Sequence, residues 1–356
     1  MNKKEGRLAS LGAPDFDGPP LVVAEISGNH GGSLDCMLEH IKAAANAGAD
    51  AVKIQTYTAD TMTLDHDGPG FVIKDPNSLW HGRTLYSLYA EAHTPWEWHS
   101  QIFELARKLE VGCFSSPFDI TAVEFLEQFQ PPAYKVASFE LIDTQLLRAI
   151  ASTGRAVIAS TGMATPREIK VAVDSLRDAG CKQLTLLKCT SAYPAEAKDA
   201  NLNALPLLRE EFGVSVGLSD HTLGTTVGIT AVALGIQMIE KHFVLDRSDG
   251  AVDAAFSLEP NELRDLVQQV HTAHSSLGAA VLGPGAADLA SLQFRRSLYA
   301  VCTIAKGAPF TLQNVRSIRP GIGLSPEHFD ALLQRRAQRA YSLGDPISEI
   351  EVSPSD

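Results

Sequence analysis

The stretch LVVAEISGNHGGSLDCMLEHIKAAANAGADAVKIQTY, residues 21–57, decides the fold. Its first seven residues are mostly apolar and rich in β-branched side chains, so they read as a strand. From Leu34 onward, Leu34, Met37, Leu38, Ile41 and Ala45 recur at three- and four-residue intervals, the period of a helix with one buried stripe. Ser33 stands where a hydroxyl can cap the free N–H groups of that helix, and Gly48 where a left-handed residue ends it at least cost. AVKIQTY then returns to strand. A strand, a helix and a second strand in close succession form a βαβ unit, whose strands run parallel.

The unit recurs along the chain. EWHSQIFELARKLEV, TAVEFLEQF, DTQLLRAIASTG, NLNALPLLREEFG, TTVGITAVALG and PNELRDLVQQVHTAHSSLG read as helices. Between them GCFSSPF, AYKVAS, AVIASTGM, LTLLKC, VSVGLS and IQMIEKHF read as strands. TPREIKVAVDSLRDAG carries its own boundaries: Thr165 to cap, Pro166 in the first turn, Glu168 to complete a capping box and Gly180 to close. Eight such pairs over roughly 250 residues have the size and order of a (β/α)8 barrel. A doubly wound open sheet has the same periodicity and stands as the alternative.

The rhythm breaks at both ends and once inside. Residues 1–19 are charged and then rich in Gly and Pro, and are expected to form a loosely ordered lead-in. The barrel is expected over 20–277, a Gly/Ala-rich linker over 278–291, and a small C-terminal domain over 292–356. So small a domain is expected to pack on another domain or subunit. Residues 58–96 are too long for an ordinary connection, and their aromatics Phe71, Trp80, Tyr86, Tyr89 and Trp96 suit either a local core or a substrate-lining wall.

Composition narrows the function. The 356 residues carry a formal net charge of −12 and no basic tract, which argues against nucleic acid as a partner. No apolar run has the length of a membrane span. Five scattered cysteines without a CxxC pair argue against a disulfide framework or a thiolate zinc site, and favour a cytoplasmic setting.

In a barrel, chemistry gathers at the carboxyl ends of the strands. There the sequence places Glu25, then Lys53 and Gln55, Ser115 and Ser116, Lys135 and Ser138, and Ser160 and Thr161. Lys188, Thr190 and Ser191 follow, then Ser219 and His221, and last Glu240 and His242. Two lysines and several hydroxyls facing one mouth suit an anion, and two histidines on adjacent strands suit a divalent metal beside it. Plainer readings exist for each. Lys53 and Lys135 could form structural ion pairs with Glu25 or Glu140, a strand-end histidine can be a packing residue, and the hydroxyls could cap helices.

At these residues the chain resembles the sialic acid synthase family, which condenses phosphoenolpyruvate with sugars to make nonulosonic acids. The matching motifs are AEISGNH (24–30), VKIQTY (52–57), SSPFD (115–119), AYKVASFE (133–140), STGMAT (160–165), LLKCTSAYP (186–194), GLSDHT (217–222) and IEKHF (239–243). NVRSIRPG (314–321) resembles the antifreeze-like (SAF) domain that ends these synthases, and LWHGRTLYSLYAEAHTPWEWH (79–99) resembles the pseudaminic acid branch. NHGG departs from the more common NHN of the family.

The resemblance implies phosphoenolpyruvate held by Lys53, Ser116, Lys135, Ser138, Ser160, Ser191 and Ser219, and Mn2+ or Mg2+ held by His221 and His242. It implies a sugar facing Gln55, Tyr193, Asp253 and Arg319, an acidic pair Glu25 and Glu240 near the reacting carbons, and a domain-swapped homodimer. The implied sugar is 2,4-diacetamido-2,4,6-trideoxy-L-altrose, with an N-acetylmannosamine-type sugar of the N-acetylneuraminate or legionaminate branches as the alternative. A metal-dependent aldolase would use the histidines but needs no Ser/Lys cradle. A non-catalytic binding module would show a flat, Thr-rich face, where this tail carries Arg316 and Arg319.

Overall fold

Eight parallel strands close on themselves in chain order: β1 Leu21–Glu25, β2 Ala51–Thr56, β3 Gly112–Pro117, β4 Ala133–Val136, β5 Ala156–Ser160, β6 Leu184–Cys189, β7 Ser215–Ser219 and β8 Met238–His242. The ring is completed by β8 against β1, with Leu21 opposite Met238 and Glu25 opposite His242. Closure removes both sheet edges and excludes the open doubly wound sheet. The computed structural model describes residues 2–76 and 78–352.

Period-two alternation sorts each strand into an outer row under the helices and an inner row. The outer row, including Val22, Ala24, Val52, Ile54, Leu186 and Leu218, packs with the helices into one large core. The inner row begins apolar at the amino ends, where Leu21, Val23, Phe114, Ile158, Leu187 and Met238 form a separate core. It ends polar, with Glu25, Lys53, Gln55, Lys135, Ser160, Ser219, Glu240 and His242 all lining one cavity. The barrel is therefore sealed at one end and chemically equipped at the other.

The helix signals are realised at their stated residues. Ser33 caps Leu34–Ala47 and Gly48 follows in the left-handed region at φ 96°. Thr165 and Glu168 form a capping box on Pro166–Asp178. Thr161 does not cap; its hydroxyl donates to Leu187 O at 3.2 Å.

The amino-terminal segment departs from the expectation of a loose lead-in. Asn2 and Glu5 form a capping box on a helix, Lys3–Ala9, and Leu8 and Leu11 are buried against the inner apolar core. Lys4 Nζ donates to Ala49 O at 2.6 Å, and Gly12 N donates to Gln237 Oε1 at 2.9 Å. The physical cause is the open amino end of the barrel, whose apolar residues would otherwise meet water. Two leucines, one in a short helix and one just beyond it, carry too little periodicity to announce that plug.

The long second connection contains the helices Ala59–Met62 and Leu85–Ala92 and a bridge between Val72 and Thr84. Its aromatics divide between the two readings. Trp80 and Tyr89 line the cavity, whereas Trp96 stacks on Phe125 with ring centroids 4.4 Å apart and Phe71 packs on His66.

The chain divides into two compact units, Met1–Gly278 and Ala279–Asp356. Residues 279–291, expected to be a linker, group with the second unit, and a run of 3-10 turns spans Ala286–Phe294. That unit pairs β9 Ser297–Ala300 with β10 Val315–Ile318 in antiparallel fashion. It has a core of its own that includes Leu298, Phe310, Val315, Leu332 and Tyr341. All five cysteines are free thiols. Among the described residues no helix is long and apolar enough to cross a membrane.

Candidate active site

The cavity at the carboxyl ends of the strands has a volume of about 690 Å3. Its floor is a buried charge network. Lys53 Nζ lies 2.7 Å from Glu25 Oε2 and 3.9 Å from Glu240 Oε2, and Lys135 Nζ lies 3.4 Å from Glu240 Oε1. Lys53 also donates to Ser116 Oγ at 3.2 Å, and Ser219 Oγ donates to Glu240 Oε1 at 3.1 Å. Gln55 Nε2 is shared between Glu25 Oε1 at 2.8 Å and Ser27 Oγ at 3.0 Å. The structural ion-pair reading of the lysines is thus half realised: Lys53 does pair with Glu25, but Lys135 turns to Glu240 rather than Glu140.

These surroundings separate the two carboxylates. Burial raises Glu25 above the ordinary carboxylate range, although Lys53 opposes it. Burial would raise Glu240 too, but Lys135 and Lys53 outweigh it and hold Glu240 below its ordinary value. A carboxyl whose protonation is easy beside one that stays ionised is the pairing that acid–base work requires.

Next to the lysines lies a hydroxyl cradle. Ser138 Oγ and Ser191 Oγ are 3.0 Å apart, and Ser160 Oγ is buried without a hydrogen-bond partner among the described residues. Gly162, at φ 47°, closes this corner: a Cβ there would sit 2.4 Å from Ser138 Cβ and 2.9 Å from Ser191 Oγ. Only glycine admits the backbone this close, leaving hydroxyls and ammonium groups converging on a space that suits a phosphate or carboxylate. Ser115 lies on the other strand face, bonded to Thr56 and Ile54 O.

Above the floor, the rings of His221 and His242 stand with centroids 5.4 Å apart. His221 Nδ1 donates to Thr190 O at 2.8 Å, which fixes the tautomer and leaves the Nε2 lone pair free. Burial would lower His221, but Cys189, Thr190 and Glu240 reverse it, so the Nε2 lone pair attracts a cation, and a proton would compete there with a metal ion. His242 is held neutral by burial and by the cations around it, and its Nδ1 has no hydrogen-bond partner among the described residues, with Asp253 Oδ2 at 3.7 Å. Two imidazoles with free nitrogen lone pairs fit a divalent metal. Among the described residues no group of three or more His, Cys, Asp or Glu is arranged for one, so further positions would fall to water or substrate.

The remaining wall is aromatic. Tyr193 packs on His221 at 4.5 Å and on Phe256 at 5.3 Å, and Trp80 approaches Tyr193 at 6.0 Å while donating to Val252 O. Asp253 is anchored by Asn29, whose Oδ1 accepts from Asp253 N and whose Nδ2 donates to Phe243 O and Ser257 Oγ. In the NHGG loop, Asn29 is thus the brace and His30 is buried on Trp98, pushed down to about 4 by burial.

The structure therefore brings Glu25, Lys53, Gln55, Lys135, Ser138, Ser160, Ser191, Tyr193, Ser219, His221, Glu240, His242 and Asp253 to one cavity, with Ser116 immediately beneath through Lys53. Arg319 belongs to the second unit, directly after β10. Sequence reasoning had no role for Cys189, whose thiol lines the cavity 4.0 Å from His221 Nδ1, or for Phe256. Inner-row alternation from Leu187 was the available signal for Cys189. It also offered Glu140 only as an ion-pair partner. In the structure, Glu140 Oε2 faces no hydrogen-bond partner among the described residues, and burial raises the carboxyl to about 7.

Glu140 gives a pH-dependent stability effect. Its unfolded-state carboxyl ionises near 4.5 and its folded one near 7, so stability falls as pH rises through that window and the full cost applies above it. Glu140→Gln is expected to exceed the parent in stability above pH 7 by on the order of 3 kcal/mol, and to match it below pH 4.5. Denaturant titrations at pH 4.5 and 8 read this directly. Equal stabilities at pH 8 would show that Glu140 ionises normally.

A closed barrel with a lysine–hydroxyl cradle beside an imidazole pair has the frame of a barrel enzyme, with a cavity suited to an anionic substrate and a divalent metal. The chain belongs to the NeuB family, whose model matches residues 40–281. It is 45% identical over 339 residues to a pseudaminic acid synthase of Campylobacter jejuni, covering 95% of this chain and 98% of that protein. It is 34% identical to an N,N'-diacetyllegionaminic acid synthase of Legionella pneumophila, covering 92% of each. The crystal structure of an N-acetylneuraminic acid synthetase from Leptospira borgpetersenii, in complex with citrate, matches with TM-score 0.69 and 31% identity, over 78% of this chain and 92% of that one.

Proposed function

We propose that the protein is a pseudaminic acid synthase, a transferase that joins phosphoenolpyruvate to 2,4-diacetamido-2,4,6-trideoxy-L-altrose and releases phosphate. The observation that carries this reading is the 45% identity to a pseudaminic acid synthase over nearly the whole chain, against 34% to a legionaminate-type enzyme. The site supports it. Phosphoenolpyruvate is the trianion that Lys53, Lys135 and the hydroxyls of Ser116, Ser138, Ser160, Ser191 and Ser219 would neutralise. A metal-dependent aldolase leaves that cradle without a task.

In the condensation, the C2=C3 electron pair of phosphoenolpyruvate forms the bond from C3 to the aldehyde carbon of the sugar. The carbonyl π pair passes to the aldehyde oxygen, which takes up a proton to become a hydroxyl, and positive character develops at C2. A divalent ion, Mn2+ or Mg2+, held by His221 and His242 would supply Lewis acidity toward the aldehyde oxygen. Glu240, kept ionised by the lysines, is the carboxylate suited to face the cationic carbon. Phosphoenolpyruvate draws Lys53 toward itself, which removes from Glu25 the charge that opposes its protonation. Glu25 is then suited to take a proton from the water that adds at C2, before the tetrahedral intermediate expels phosphate.

The sugar would lie against Gln55, Tyr193 and Asp253. Trp80, Tyr193 and Phe256 present apolar rings, which suits the methyl group of a deoxy sugar where N-acetylmannosamine carries a hydroxyl. The test is incubation with phosphoenolpyruvate and a panel of sugars, with phosphate release and product mass recorded. The trideoxy-altrose is expected to give kcat/KM at least about tenfold above N-acetylmannosamine, the scale of one methyl-sized contact, and Trp80→Ala to narrow the gap. Higher kcat/KM with N-acetylmannosamine places the enzyme in the other branch.

The second unit, read as an antifreeze-like domain, is assigned Arg319, whose guanidinium would enter the barrel mouth of the partner in a domain-swapped homodimer and hold sugar oxygens. Arg319→Ala is expected to raise the sugar KM well above any effect on phosphoenolpyruvate. Mixing Arg319→Ala and His221→Ala proteins under subunit exchange, at a sugar concentration far below the raised KM where neither turns over appreciably, should restore one working site in each heterodimer. No recovery despite exchange would mean that each tail serves its own barrel or none.

A further inference from the structure

The two histidines are each flanked by a charged residue that the mechanism above does not use: Asp220 precedes His221, and Lys241 precedes His242. Alternation turns Asp220 and Lys241 away from the cavity into the layer between strands and helices, where their side chains are 1% and 0% exposed. Lys241 Nζ donates to Asp220 Oδ2 at 2.9 Å, to Thr222 O at 2.6 Å and to Gly224 O at 2.8 Å, which uses all three of its protons. Asp220 Oδ1 accepts from Thr222 N at 3.0 Å and from Thr222 Oγ1 at 2.7 Å.

One ammonium thus grips residues 220, 222 and 224, on both sides of His221, from a position next to His242 in the chain. A buried ion pair by itself is weak evidence of stabilisation, because an apolar pair of equal volume often serves as well. Here an apolar residue would leave the buried carbonyl of Thr222 unsatisfied and release the carbonyl of the exposed Gly224 to water, so the geometry is specific to the ammonium. The backbone continues the clamp. Asp220 N donates to Glu240 O at 2.9 Å, Ala195 N to His221 O at 3.0 Å and Leu258 N to His242 O at 2.8 Å. The side-chain pair and these backbone bonds act together on the segments that carry the two imidazoles.

We propose that Lys241, with Asp220, is a positioning residue that sets the separation of His221 and His242 for a divalent ion; this rests on the metal reading of those histidines. The probe is Mn2+ alone, titrated by electron paramagnetic resonance into the chelator-treated full-length protein. The informative variant is Asp220→Asn/Lys241→Met, which removes both charges together and preserves volume. It is expected to weaken Mn2+ binding about 10- to 100-fold, the scale of lost support behind a ligating histidine, and to leave phosphoenolpyruvate affinity within about twofold.

Thr222→Val keeps both charges and removes only the hydroxyl donor to Asp220, so a two- to tenfold loss is expected in a protein whose fold is less at risk. Mn2+ affinity equal to the parent's in either folded variant overturns the proposal. If parent and His221→Ala bind Mn2+ equally, the metal reading itself fails. The clamp is then judged on a metal-free crystal structure of the folded variant, where a ring separation unchanged from 5.4 Å refutes it and a changed one sustains it.

Discussion

Replacing either histidine of the pair is expected to lower kcat/KM by at least about 1000-fold while the fold survives. His221→Ala and His242→Ala each remove one of two imidazoles that face the cavity, and no other group among the described residues stands ready to substitute. The loss is catalytic rather than structural for a geometric reason. The His221 ring is held by Thr190 O and by a long contact to Cys189 Sγ, and His242 Nδ1 has no hydrogen-bond partner among the described residues. Melting temperatures within a few degrees of the parent should accompany the collapse in turnover. Chelation should reproduce the effect in the unaltered enzyme, and added Mn2+ or Mg2+ should reverse it there but not in the variants. Turnover that persists at full rate after exhaustive chelation would take the metal out of the reaction.

A single methyl group at Gly162 should cost nearly as much. In Gly162→Ala the new Cβ would meet Ser138 Cβ at 2.4 Å and Ser191 Oγ at 2.9 Å, so the cradle must open or the 160–165 turn must move. A displacement approaching 1 Å in groups that orient a reacting substrate costs about 100-fold. The expected signature is a KM for phosphoenolpyruvate raised by at least that factor, with the sugar KM little changed. Gly162 also has a left-handed φ, which penalises any side chain, and the control must separate the two causes. Gly154 has φ 71° and nothing within 4 Å of a built Cβ, so Gly154→Ala bears the backbone cost alone. Equal kinetic damage in both variants would assign the effect to backbone strain and remove Gly162 from the cradle.

Several parts of the site were legible before any coordinates because the strand repeat is rigid. Once eight strands are placed, alternation puts Lys53 with Gln55, and Ser219 with His221, on the inner row, and closure brings those rows to one mouth. Where two adjacent residues shared the chemistry, the resemblance pointed to Ser116, and the structure shows Ser116 meeting Lys53 while Ser115 meets Thr56 on the outer face. The amino-terminal plug was missed because its signal is two leucines, and their burial is decided by an opening formed from strands far along the chain.

The sequence by itself determined what depends on local spacing: the βαβ repeat, the caps at Ser33 and Thr165, the glycine stop at Gly48 and the residue types at each strand end. These follow from backbone hydrogen bonding and side-chain periodicity, which act within a few residues. Only the tertiary structure decided how the charges pair. Lys135 chose Glu240 over Glu140, Lys241 closed its three bonds around the loop that carries His221, and burial raised Glu140, whose Oε2 has no hydrogen-bond partner among the described residues. Pairing of that kind depends on distances of a few ångströms between residues distant in the chain and on how much water their burial removes. Both are properties of the closed barrel, and no local stretch of sequence contains them.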